Sequence, residues 1–109
     1  ARALLAGGAR RRRRATVEAA ARVDPTNPHV FEALAELRLD DGDAEDAFAP
    51  ARRAVRLRPE RPAYRLLLGD VHAARGERAK AVRAWLQARA RDRSLGEAVQ
   101  ARLRALDGE

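Results

Sequence analysis

Two glycine–acid steps, Gly42-Asp43 and Gly76-Glu77, stand 34 residues apart (76 − 42), and Gly8 lies 34 residues before Gly42 (42 − 8). Other residue types keep the same period. Pro25 pairs with Pro59, Pro28 with Pro62, Leu34 with Leu68, and Ala47 with Ala81. Ala20, Ala54 and Ala88 form a triplet, and Val23 pairs with Leu57. A shared period of this length marks a repeat array. Each unit is then one supersecondary element that buries its apolar face only against its neighbours.

Composition says what kind of unit repeats. The apolar share is 46%, yet aromatic residues make up only 4%, so alanine supplies most of it. Alanine, leucine, arginine and glutamate dominate, and all favour helix. The residues that favour strands are scarce, which argues against a sandwich or barrel. A charged share of 36% fits thin, exposed helical layers.

Local signals set the expected boundaries. Asn27-Pro28 reads as a cap followed by a first-turn proline, opening a helix to about Asp40. Val30, Phe31, Leu34 and Leu37 stripe it. Gly42 ends it in the left-handed conformation, and Asp43 caps the next helix, with Glu45 and Asp46 in its first turn. That helix runs to about Arg58. Pro50 falls inside it and implies a kink, or else a later start near Pro50. The scheme recurs over Pro62–Ala74, striped by Tyr64, Leu67, Leu68 and Val71. Gly76 is the next break, and Glu77–Arg91 follows with Ala81, Val82, Trp85 and Ala88 on one side. Ser94 and Glu97 read as a capping box for a last helix striped by Leu95, Val99, Leu103 and Leu106. At the front, Ala1–Ala6 reads as a helix tail, Gly7-Gly8 as a turn and Ala9–Val23 as a second helix. The chain is therefore expected to begin mid-unit, as a piece of a longer protein.

These residues resemble the tetratricopeptide repeat, whose period is 34 and whose pattern is W-x2-L-G-x2-Y, then A-x3-F, then P. The first full unit has Phe31, Leu34, Ala35 and Arg38, then Ala47 and Ala51, then Pro59. The second has Arg65, Leu68, Gly69 and His72, then Ala81 and Trp85, then Arg93. The partial unit supplies Val17, Ala20 and Pro25. Arg38, Ala51, Arg65 and Arg93 depart from the pattern, and Arg13 takes a small-residue slot, so the front edge is expected to pack more weakly. The resemblance covers the whole chain. It implies an all-α fold of antiparallel helix-turn-helix repeats stacked as a right-handed α-solenoid. The expected division within one domain is a partial repeat over 1–26, repeats over 28–61 and 62–95, and a closing helix over 96–107.

In that family the first helix of each unit lines a concave groove that holds peptides or helices. The resemblance therefore implies a groove formed by His29, Glu32, Glu36, Leu39 and Asp40 with Ala63, Leu66, Asp70 and Ala73. The closing helix is expected to add Glu97, Gln100 and Arg104. Glu32, Glu36 and Asp40 are spaced four apart, so they share one helical face and repel. A basic peptide would relieve that repulsion. The lysine, asparagine and arginine that grip a terminal carboxylate in some members are absent from the matching positions. The expected function is thus protein–protein interaction through a groove that takes a basic segment, or else a spacer role within a larger array.

The net charge of +7 comes almost wholly from arginine, since Lys80 is the only lysine. Arg10, Arg11, Arg12, Arg13 and Arg14 run consecutively, and Arg52, Arg53, Arg56, Arg78, Arg83 and Arg89 join them on the expected convex side. The alternatives are a solvated face and a site for nucleic acid or an anionic surface. The run lacks the aromatics that stack on bases.

Other classes fare worse. With no cysteine there is no disulfide, thiolate or cysteine-held zinc. His29 and His72 alone make a poor metal site; His72 reads as packing and His29 as exposed. No serine or threonine pairs with a histidine, and no phosphate loop occurs, so neither enzymatic activity nor a cofactor is expected. No apolar run is long enough to span a membrane, and no targeting segment is evident, which favours the cytoplasm. Leu4, Leu5 and Val17 could pair two copies if the front edge lacks its neighbour.

Overall fold

The computed structural model describes the backbone of residues 2–108 and the side chains of residues 8–108. Among them run α1 (Arg2–Val23), α2 (Pro28–Asp40), α3 (Ala44–Leu57), α4 (Pro62–Ala74), α5 (Arg78–Arg91) and α6 (Gly96–Asp107), with one 3-10 turn over Arg93–Leu95. There is no strand among the described residues. The architecture is all-α: α2 pairs with α3, α4 with α5, and each pair stacks on the next.

Local chemistry explains these boundaries. The Asn27 side chain accepts from the His29 amide at 3.0 Å, and Pro28 needs no donor in the first turn. The two glycine breaks are replicas. Gly42 and Gly76 both take φ +79°, a conformation that costs glycine no side-chain clash. The Asp43 amide reaches the Arg38 carbonyl at 2.8 Å, and the Glu77 amide reaches that of His72 at 2.9 Å. Both glycine amides bond the carbonyl three residues back, completing a Schellman closure.

Three expectations need correction. No turn forms at Gly7-Gly8, because α1 continues through it. Gly8 is followed by alanine, not by an acid that could cap a new helix, and strong helix formers flank the pair. Asp43 stands at the head of α3 but makes no side-chain cap; its carboxylate is drawn to Arg14 instead. Ser94 and Glu97 form no capping box. Asp92 caps the preceding 3-10 turn instead, accepting from the Ser94 amide at 3.0 Å and the Ser94 hydroxyl at 2.6 Å, and α6 starts without a side-chain cap. At Pro50, α3 runs through as one helix from Ala44, which excludes the later start, and the proline itself is buried.

Alanine sets how closely the layers approach. Ala35, Ala47, Ala51, Leu67 and Val71 form one buried cluster, supported by Leu39, Phe48 and Leu68. Ala81, Trp85 and Val99 form a second, closed by Leu66, Leu95, Leu103 and Leu106. Between them, Gly69 lies under Trp85. A methyl group there would overlap indole Cδ1 and Nε1. This close approach lets an aromatic residue fill the space that alanines leave.

The front of the array is held differently. Arg14 on α1 bonds Asp41 at 2.9 Å, Glu18 at 3.2 Å and Asp43 at 3.3 Å. Beside it, Arg13, Val17, Ala33 and Leu37 leave a gap of 270 Å³. The arginine in the small-residue slot thus stands beside a gap in the α1–α2 seam.

Candidate functional site

Glu32, Glu36, Leu39 and Asp40 of α2 meet Ala63, Leu66 and Asp70 of α4 around one cavity of 330 Å³. Seven of the nine expected groove residues are therefore neighbours. Ala73 lies in an adjoining cleft of 310 Å³ with Ala74, Trp85, Ala105 and Leu106. His29 is outside both cavities. Its side chain is 67% exposed, and Nδ1 is 3.8 Å from Glu32.

The third wall is not the expected one. Glu97, Gln100 and Arg104 point to solvent, whereas Arg102 enters the groove. Arg102 donates through Nε to Asp70 Oδ1 at 2.7 Å and through Nη2 to Oδ2 at 3.1 Å. Trp85 Nε1 donates to the same Oδ1 at 3.0 Å. Asp70 is therefore a neutralised, triply bonded carboxylate, not the free groove acid expected. Charge assistance and the forked geometry make this pairing stronger than an ordinary surface contact. A sequence signal existed: Arg102 follows Val99 by three residues and precedes Leu106 by four, on the rim of the buried stripe.

Among the described residues the α2 acids have no such forked partner; Glu32 lies 3.8 Å from His29, and Arg13 lines a neighbouring gap with Glu36 and Asp40. Burial pushes the Glu36 carboxyl above the usual range, and the charges of Glu32, Asp40 and Asp70 push the same way. The groove is thus polarised: acidic along α2, charge-balanced where α4 meets α6.

The arginine run is not one surface. Arg10 and Arg13 share a pocket with Leu37 and Asp40 of α2 and with Asp41 just after it. Burial works against the Arg14 charge, but hydrogen bonds to Asp43, Asp41 and Glu18 outweigh it and raise its pKa. Arg11 and Arg12 are exposed. Several arginines of the expected convex side are committed to structure. Arg53 donates to the Pro25 carbonyl at 3.2 Å, Arg52 lies 5.5 Å from the Phe48 ring centroid, and Arg78 is tied to Asp107.

His72 packs as expected, its ring 5.6 Å from Phe48. It also has a partner the sequence did not indicate: Nδ1 is 3.0 Å from Glu77 Oε1. That bond, with Arg75 and Lys80 nearby, holds the Glu77 carboxyl below its usual range against the opposing effect of burial. Among the described residues no group of metal-ligating side chains gathers, and no helix is long and apolar enough to cross a membrane. Of the suggested pairing edge, Leu4 and Leu5 lie outside the described side chains, and Val17 is half-buried against α2.

The geometry defines a TPR-like helical-repeat fold with a groove along its first helices. Solved structures share it. PcrH, in complex with the chaperone-binding region of PopD, matches with TM-score 0.79 at 18% identity, covering 95% of this chain and 83% of that one. SycD, a type III secretion chaperone of Yersinia enterocolitica in complex with a peptide of the translocator YopD, matches with TM-score 0.80 at 16% identity, covering 94% and 83%. An alternative dimer of SycD matches equally well. At these identities the likeness is one of fold. No protein-family model and no curated protein sequence matches the chain.

Proposed function

We propose that this chain is a peptide-binding helical-repeat module whose groove takes an extended segment with a basic residue against α2. The observation that carries this reading is the gathering of Glu32, Glu36 and Asp40 around a cavity with apolar walls at Leu39, Ala63 and Leu66. A lysine or arginine there would meet carboxylates that hold no arginine or lysine ion pair among the described residues, while its stem and neighbours lie on the leucines. Asp70 supplies no free charge, so the basic residue belongs at the α2 side. PcrH and SycD, which share the fold, are seen in complex with segments of PopD and YopD, and this supports a peptide ligand by analogy of fold.

Calorimetry with short peptides tests this. A peptide with one central arginine should bind, and its glutamate counterpart should not. Glu36→Lys should abolish the difference while far-UV circular dichroism stays unchanged. Equal binding of both peptides would overturn the reading. A phosphate-binding role for the arginine run has less support, since Arg14 is fully engaged and Arg10 and Arg13 face Asp40 and Asp41.

A further inference from the structure

An apolar stripe of Ala79, Val82, Leu86 and Ala90 runs along the outward face of α5. Spacings of three and four place these residues on one face of the helix. The stripe covers 11 residue steps (90 − 79), or about 16 Å along the axis. The opposite face, Ala81, Ala84, Trp85 and Ala88, is buried in the array. Leu86 is one of the large apolar side chains the described surface leaves exposed.

The borders of the stripe carry one sign of charge. From Arg78 to Arg91, α5 holds five basic residues and no acidic one. Arg83 flanks the stripe on one side. Arg89, three residues after Leu86, flanks it on the other. Both are exposed and have no ion-pair partner within 4.0 Å among the described residues, whereas Arg78 is tied to Asp107.

We propose that this face of α5 docks an acidic amphipathic helix from another protein. The stripe has the length and spacing to receive the apolar ridge of one helix. The small side chains at both its ends, Ala79 and Ala90, allow close approach. Charge complementarity fixes the sign: glutamates or aspartates beside the partner's ridge would meet Arg83 and Arg89. A lipid surface fits less well, because only Val82 and Leu86 are large enough to insert, and stable interfacial binding draws on a broader apolar face. A nucleic acid would leave Leu86 unused and finds no aromatic platform on this face. The site lies apart from the acidic groove, and neither proposal depends on the other.

The probe is a synthetic helical peptide with leucines at i, i+3, i+7 and i+11 flanked by glutamates, set against a scrambled peptide of identical composition. Fluorescence anisotropy should show binding of the first and at least about tenfold weaker binding of the second. Leu86→Glu and Arg83→Glu should each weaken binding by about tenfold or more. Leu86→Gln, which changes no charge, should do so too, and Glu36→Lys should have no effect. Hydrogen exchange should slow over residues 78–91 on binding. The proposal fails if both peptides bind alike, or if Leu86→Gln binds like the parent. It also fails if phosphatidylserine vesicles, single-stranded DNA or a second copy of this chain show the Leu86 dependence in place of the peptide.

Discussion

Arg38 on α2 donates through Nη1 to the backbone carbonyl of Asp46 on α3 at 2.8 Å. That carbonyl lies four residues before Pro50 and would otherwise accept the amide that proline lacks. Two apparent departures from the repeat pattern, an arginine in an aromatic slot and a proline inside a helix, are therefore one arrangement. The guanidinium supplies the hydrogen bond the proline removes. Arg38 also lies 3.8 Å from Glu18, tying this repair to α1.

This pairing predicts coupling. Arg38→Leu should cost about 1–2 kcal/mol in urea denaturation, because the Asp46 carbonyl loses its donor. In a Pro50→Ala background the helix donor returns, and the same change should cost less by about 1 kcal/mol. Additive effects of the two changes would show the bond to be incidental.

Gly69 and Gly96 should respond in opposite directions to alanine. At Gly69 the added methyl group meets the Trp85 ring and the Ala81 carbonyl, so the α4–α5 pair must shift. Gly69→Ala should destabilise by about 1–3 kcal/mol. At Gly96 nothing lies within 4 Å and the backbone is already helical. Gly96→Ala should stabilise by about 0.5–1 kcal/mol through the unfolded chain. Thermal midpoints of the two variants check both signs.

Arg102→Ala should loosen α6 and make the groove more acidic at once. Asp70 would keep only its bond from Trp85. Hydrogen exchange over α6 should quicken. A peptide with a central arginine should bind several-fold more tightly, since an uncompensated carboxylate is added to the groove. Tighter exchange protection or weaker binding would contradict this.

Glu36 sets a pH dependence whose sign follows from its raised pKa. A carboxyl that titrates higher in the folded state than in the unfolded one favours folding while protonated, and this contribution is lost as pH rises through its folded pKa. Glu36→Gln should therefore be more stable than the parent at neutral pH and match it in acid. For the same reason a cationic peptide should bind better as pH rises through the upper carboxylate range, and Glu36→Gln should flatten that rise. Stability and affinity measured from pH 4 to pH 7 give both curves.

Much of the groove was legible because helical spacing is a local property. Glu32, Glu36 and Asp40 must share a face once α2 forms, and the period assigns Ala63, Leu66 and Asp70 to the matching face of α4. Arg102 was missed because its place depends on how α6 rotates after the Arg93–Leu95 turn, and Asp92, not Ser94, begins that turn. Gly7-Gly8 was misread because period alone cannot distinguish a glycine that breaks a helix from one that continues it. The distinction lies in the next residue, an acid at Gly42 and Gly76 and an alanine at Gly8.

By itself the sequence determined the all-α repeat, its period, the two left-handed glycine breaks and which α2 side chains stand together. Each follows from bonds or spacings within a few residues, where backbone geometry leaves little choice. Only the tertiary structure decided which charges remain free. Arg102 neutralises Asp70 across 32 residues and Trp85 bonds it across 15, Arg14 leaves the basic run to hold the α2–α3 turn, and Arg38 completes a helix interrupted by Pro50. Arginine is long and carries a rigid fork of donors. Its partner is fixed by what the stacked layers bring within reach, and no periodicity along the chain specifies that.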